Sequence, residues 1–119
     1  MIDHLELQTR TIERTAQFYS DVLEPLGYRL VLDGPVKGFG AAESMDLFLV
    51  EGDASANVHF AFAARNRGSV DQAWRAGEER GWVTDRPPSL APHIHPNYYA
   101  GYLRDPDGRL VEIVSQGPE

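Results

Sequence analysis

Apolar and polar residues alternate over residues 2–8. Leu5 and Leu7 point to one side and His4, Glu6 and Gln8 to the other, the pattern of a half-buried strand. From residue 12 to 24 the period changes. Ile12, Ala16, Tyr19 and Leu23 recur at three- and four-residue spacing, Thr11 suits an N-cap, and Pro25 with Gly27 ends the helix. Three further strands are predicted at residues 28–32, 36–42 and 45–50, with a turn at Asp33-Gly34-Pro35. After the polar break at residues 51–55 the same order returns. Residues 57–63 alternate, with Val58, Phe60 and Phe62 on one face and His59 on the other. Ser69, with Gln72 three residues on, reads as a capping box opening a second helix that Gly81 closes. A strand is expected at residues 82–85, a proline-rich loop at 86–97, and strands at 98–104 and 109–115 joined by the turn Asp105-Pro106-Asp107-Gly108.

This pattern predicts an α+β fold made of two βαβββ repeats, about residues 1–52 and 57–117, within one domain over 1–119. Each repeat has one helix for a four-stranded sheet, so the helix covers only one face. The uncovered faces then form a cup-shaped, partly open mixed sheet with the helices outside.

Side-chain direction makes the cup chemically specific. In the first strand the leucines face the helix, so His4 faces inward. By the same rule His59 faces inward beside Phe60 and Phe62, and Glu112 beside Val111 and Ile113. Two imidazoles and a carboxylate form a known set for a divalent ion with open positions. Each residue alone also fits a plain surface position; the shared face argues for ligands.

Composition narrows the classes. The 119 residues include no cysteine, which excludes disulfides and thiolate metal sites, so any metal is held by nitrogen and oxygen. The formal charge is −7 and Lys37 is the single lysine, which argues against nucleic-acid binding. The N-terminus MIDHLELQTR has no apolar segment of the signal-peptide kind, and no run is long enough to span a membrane. A cytoplasmic location is expected.

The chain resembles the vicinal-oxygen-chelate superfamily of glyoxalases, extradiol dioxygenases, fosfomycin-resistance and bleomycin-resistance proteins. The matching stretches are His4-Leu5-Glu6-Leu7, Phe18-Tyr19 with Leu26-Gly27, His59-Phe60-Ala61-Phe62, and Asp105-Pro106-Asp107-Gly108 with Val111-Glu112-Ile113. Residues 95–102 (HPNYYAGY) also resemble a bacterial glyoxalase-like subgroup. The resemblance implies that His4, His59 and Glu112 bind one divalent metal ion (Zn, Ni, Mn or Fe). It implies a lyase, isomerase or transferase acting on a small oxygenated substrate that chelates the metal. The alternatives are an Fe(II) extradiol-type dioxygenase and a metal-free binding protein of the bleomycin-resistance type, which the acidic charge suits. Glyoxalase I adds a fourth ligand, a glutamate on the last strand of the first repeat. Matching MDLFLV to RLVEIV puts Phe48 there, with Glu43 and Asp46 near but unaligned. That departure points away from glyoxalase I itself and leaves Phe48 for substrate contact. A homodimer is expected, because open sheet edges favour pairing. The site then lies within one chain or is shared between two.

Other candidates surround the cup. His93 and His95 fit its mouth, one of them as a general acid or base. They equally fit a rigid exposed loop. Tyr98 and Tyr102 share one face, with Tyr98 a second catalytic candidate and both open to substrate contact. Arg104 is on the same face and suits an anionic substrate or a plain exposed strand end. Trp74 and Trp82 are expected to be packing residues.

Overall fold

The computed structural model describes residues 1–42 and 44–119. In the first repeat, β1 (Leu5–Thr9) leads into α1 (Ile12–Leu23), a short 3-10 turn (Glu24–Leu26), β2 (Arg29–Asp33), β3 (Lys37–Gly40) and β4 (Leu47–Glu51). In the second, β5 (His59–Ala63) leads into α2 (Arg67–Glu79), β6 (Ser89–Leu90), β7 (Tyr99–Arg104) and β8 (Leu110–Ser115). The repeats form two four-stranded sheets of matching order, β1-β4-β3-β2 and β5-β8-β7-β6. In each, the first strand pairs in parallel with the last. The result is an α+β fold of repeated halves with open sheets.

Local chemistry explains the elements. Gly27 ends the turn after α1 in the left-handed conformation (φ 85°), where a side chain would be strained. Helix α2 starts earlier than Ser69. Its N-cap is Asn66, whose side chain accepts from the Ser69 amide at 2.8 Å. The expected capping box loses to the asparagine, which reaches the same orphan amide from three residues back. Residues 82–85 do not form a strand; Thr84 makes one isolated bridge to Leu103. The fourth strand of the second sheet is instead the two-residue β6, inside the proline-rich loop, paired through Ser89 and Leu90 to β7.

The helix-facing positions of both sheets meet in one contiguous core. Leu7, Leu47 and Leu49 of the first repeat and Leu103, Val111 and Ile113 of the second pack with Phe18, Tyr19, Val22 and Val70 from the helices. Val58 precedes β5 and is exposed rather than turned toward the helices. Trp82 packs edge-on to Phe18 and donates to Asp21 at 2.8 Å; Trp74 donates to the Tyr102 carbonyl at 2.9 Å. Both tryptophans are packing residues. Among the described residues, no helix is long and apolar enough to cross a membrane.

A buried polar network joins the two repeats. Arg109, 1% exposed, follows the hairpin turn and pairs with Asp105 at 2.9 Å. It also donates to the Ser55 carbonyl at 3.0 Å and to the Gln8 carbonyl at the end of β1. Tyr19 donates to the same carboxylate at 2.7 Å.

Candidate functional site

The candidate site lies on the inner face of the second sheet. β5 alternates exposed and half-buried residues, so Phe60 and Phe62 pack toward the core while His59 and Ala61 turn the other way. Ala61 is registered against Glu112 and Tyr102 lies opposite the same glutamate, which puts these residues on adjacent strands of one face. Glu112 is 4% exposed. Its Oε1 lies 2.9 Å from His59 Nε2, and its Oε2 accepts a hydrogen bond from the Tyr98 hydroxyl.

Protonation at this pair follows from its other partner. His59 Nδ1 lies 3.0 Å from the Leu110 carbonyl. A carbonyl can only accept, so Nδ1 carries a proton. In the neutral imidazole Nε2 is then an acceptor facing a carboxylate oxygen. Two acceptors at that separation need a proton or a cation between them. The 2.9 Å spacing also matches two adjacent ligands of one divalent ion, given bonds of about 2.0–2.2 Å. The pair therefore fits a divalent metal in donor type and spacing, and the Leu110 carbonyl supplies the orienting contact a ligand histidine requires.

The phenols stay protonated. Burial, then the bond to Glu112, pushes Tyr98 far above the ordinary tyrosine range. Burial and the Glu112 charge raise Tyr102, with Arg86 pulling the other way. At neutral pH both act as donors. The Tyr102 ring stacks on His59 at 6.3 Å, and the Arg86 guanidinium lies over that ring at 4.0 Å.

The remaining predicted residues distribute unevenly. His4 stands one residue ahead of β1, bonds Asp3 at 2.8 Å, and packs edge-on to Phe48 at 5.5 Å. It is not part of the His59–Glu112 cluster. Among the described residues, no three histidines or carboxylates of one chain come together to hold an ion. Phe48 is registered opposite Glu6 on the inner face of the first sheet. Asp46 accepts from the Tyr28 hydroxyl at 2.5 Å, and Glu43 lies outside the described residues. Arg104 is tied to Asp85 at 3.3 Å and to the Gly108 carbonyl at 3.2 Å. His95 accepts from the Asn97 amide at 3.3 Å on an exposed loop, and its carbonyl accepts from the Tyr98 amide at 3.0 Å. His93 lines a small pocket beside Tyr102. Arg86 and the Leu110 carbonyl have no counterpart among the predicted residues. A backbone carbonyl carries no sequence signal, and Arg86 is marked only by the Pro87-Pro88 pair that follows it.

The model of the glyoxalase/bleomycin resistance protein/dioxygenase superfamily matches residues 1–113. The chain belongs to that superfamily. No curated protein matches its sequence. Solved structures with the same fold include a glyoxalase/bleomycin resistance protein from Albidiferax ferrireducens T118, with TM-score 0.84 and 23% identity, covering 97% of this chain and 98% of that one. Lactoylglutathione lyase from Agrobacterium tumefaciens has TM-score 0.70 and 24% identity over 97% and 92%. Fosfomycin resistance protein FosX from Mesorhizobium loti has TM-score 0.72 and 18% identity over 98% and 92%. At these identities the likeness concerns the fold. In this member a histidine and a glutamate are in contact on one repeat, and a histidine lies against a phenylalanine on the other.

Proposed function

We propose that this superfamily member is a metal-dependent glyoxalase-like enzyme, a lyase, isomerase or transferase. Its substrate is a small oxygenated molecule whose two neighbouring oxygens chelate the metal. His59 and Glu112 of one chain, with His4 of a second chain, hold the ion in a homodimer. The carrying observation is the His59–Glu112 contact, in which a histidine whose Nδ1 is committed to Leu110 turns Nε2 onto a buried carboxylate. Sharing between chains is supported by the fact that, among the described residues, His4 does not join the His59–Glu112 pair within one chain. It sits with Phe48 on the other repeat's inner face. A twofold dimer that apposes first-repeat and second-repeat faces forms two equivalent sites.

The bound ion would polarise the chelating oxygens and stabilise charge developing on them. The chain's own residues do the rest. Leu110 fixes the His59 tautomer. Tyr98 donates to Glu112 and holds its carboxylate in one orientation. Tyr102 offers a second phenol at the same face, and Phe48 an apolar wall.

Two measurements on protein purified without chelator test this. Elemental analysis should give about one metal per chain. Mixed dimers of His4→Ala and His59→Ala chains should regain metal that neither variant binds alone, because one of the two sites is then intact. Recovery only by chains carrying both histidines would overturn the shared site.

A second reading is a metal-free binding protein. It is favoured by Phe48 at the position of a fourth ligand and by the fact that a proton also satisfies the His59–Glu112 contact. Absence of metal, with no gain in stability on adding Zn, Ni, Mn or Fe(II), would establish it over the enzyme.

A further inference from the structure

Three charged side chains meet beside Tyr102. Asp85 receives both the Nε and the terminal nitrogen of Arg104 at 3.3 Å. Arg86 approaches the same carboxylate only to 3.8 Å. Two guanidiniums therefore share one carboxylate, which leaves one positive charge uncompensated. Arg86 carries it, because Arg104 makes the nearer contacts to Asp85.

The backbone fixes where that charge sits. The Tyr102 amide donates to the Arg86 carbonyl and the Asp85 amide to the Tyr102 carbonyl, each at 2.9 Å. Pro87 and Pro88 follow and restrict the chain further. The guanidinium is thus held over the Tyr102 ring. Beyond it lies a pocket of about 120 Å³, lined by Arg86, Ser89, Ala91, His93, Ile94 and Tyr102. Tyr102 separates this pocket from Glu112, which faces it across the sheet.

Resting on the metal-chelate reading above, we propose that the substrate carries a carboxylate a short distance from its chelating oxygens, and that Arg86 with His93 receives it in this pocket. A guanidinium offers parallel donors that match a planar carboxylate. The small pocket suits a short acidic arm. The chelating end lies at His59 and Glu112, so the two ends of the substrate bracket Tyr102.

The test uses two hydroxamates, which chelate through vicinal oxygens. Acetohydroxamate has no further charge, and the monohydroxamate of succinic acid adds a carboxylate. Calorimetric titration of the nickel-loaded full chain should show the acidic probe binding at least about fivefold tighter. In Arg86→Gln the ratio should fall to about one, and in Arg86→Lys it should be intermediate. Equal binding of the two probes by the wild-type protein overturns the proposal, as does a ratio that survives Arg86→Gln. Failure of acetohydroxamate itself to bind overturns the metal reading, and this proposal with it.

Discussion

Phe48 in β4 and Glu112 in β8 occupy the same register point of the two repeats. Phe48 is paired with Glu6, two residues after His4, and Glu112 with Ala61, two residues after His59. Each inner face thus presents a histidine beside this position, edge-on to a ring in one repeat and bonded to a carboxylate in the other. Installing Glu at Phe48 should complete a four-ligand set in the proposed shared site. Phe48→Glu is expected to tighten metal binding by tenfold or more, about 1.4 kcal/mol, measured by competition with a chromogenic chelator. Unchanged or weaker binding would mean that the first-repeat face does not meet the ion.

Glu112→Gln separates metal binding from folding. The amide nitrogen can donate to His59 Nε2, while the amide oxygen accepts from Tyr98. Both contacts survive without a charge. Stability measured by urea denaturation in the presence of chelator should therefore change by no more than about 1 kcal/mol. Metal content should fall from about one per chain to near zero. A variant that retains its metal would remove Glu112 from the ligand set.

Much of this site was legible because a strand has a period of two. His59, Ala61 and Glu112 could be assigned to one face from neighbouring apolar residues, and the match of MDLFLV to RLVEIV correctly aligned Phe48 with Glu112. What alternation does not encode is which inner faces meet, so it groups His4 with residues that one chain does not bring to it. The short strand β6 was hidden because prolines dominate its segment and only two residues pair. Arg104 and Arg86 could not be ranked, since that depends on how a single carboxylate, Asp85, divides between them. The role of Arg109 carries no local sequence signal, because its partners, Gln8 and Ser55, are far away in the chain.

That arginine gives a stability prediction. Arg109→Met removes the cation from a buried network and leaves Asp105, 3% exposed, with Tyr19 and backbone amides as its donors. It also cuts the links to Gln8 and Ser55 that join the repeats. Breaking one partner of a buried pair costs about 3–5 kcal/mol. Chemical denaturation should show a loss of that size. A loss below about 1 kcal/mol would mean that the network adds little to holding the repeats together.

Alkaline pH should weaken the fold through its hydrogen-bonded, wholly or partly buried phenols. Burial and the bond to Asp46 push Tyr28 up to about 12, and burial with the bond to Asp71 does the same for Tyr99. Burial, then the Asp105 charge, also raises Tyr19 well above its ordinary value. In the unfolded chain these phenols titrate near about 10. The folded state holds its protons more tightly, so this stabilisation is complete below about pH 10 and is lost as pH rises through about 12. Denaturation midpoints should fall across that window in step with tyrosinate absorbance. Tyr28→Phe should make the fall shallower; an unchanged slope would remove Tyr28 from the effect.

Gly77 tests the packing between α2 and the second sheet. Glycine inside a helix normally costs about 1 kcal/mol relative to alanine, so Gly77→Ala would be expected to stabilise. Here an added Cβ would lie 2.3 Å from Leu103 Cδ2 and 3.3 Å from Val22 Cγ2. Both side chains are fully buried in the shared core, so neither can move aside freely. Overpacking of this kind costs about 1–3 kcal/mol, which equals or exceeds the helix gain. Gly77→Ala should lower the denaturation midpoint, whereas Gly68→Ala, in the same helix with its nearest contact at 3.4 Å, should leave it unchanged or raise it. A rise for both would show that helix propensity, rather than the close approach of α2 to Leu103, governs Gly77.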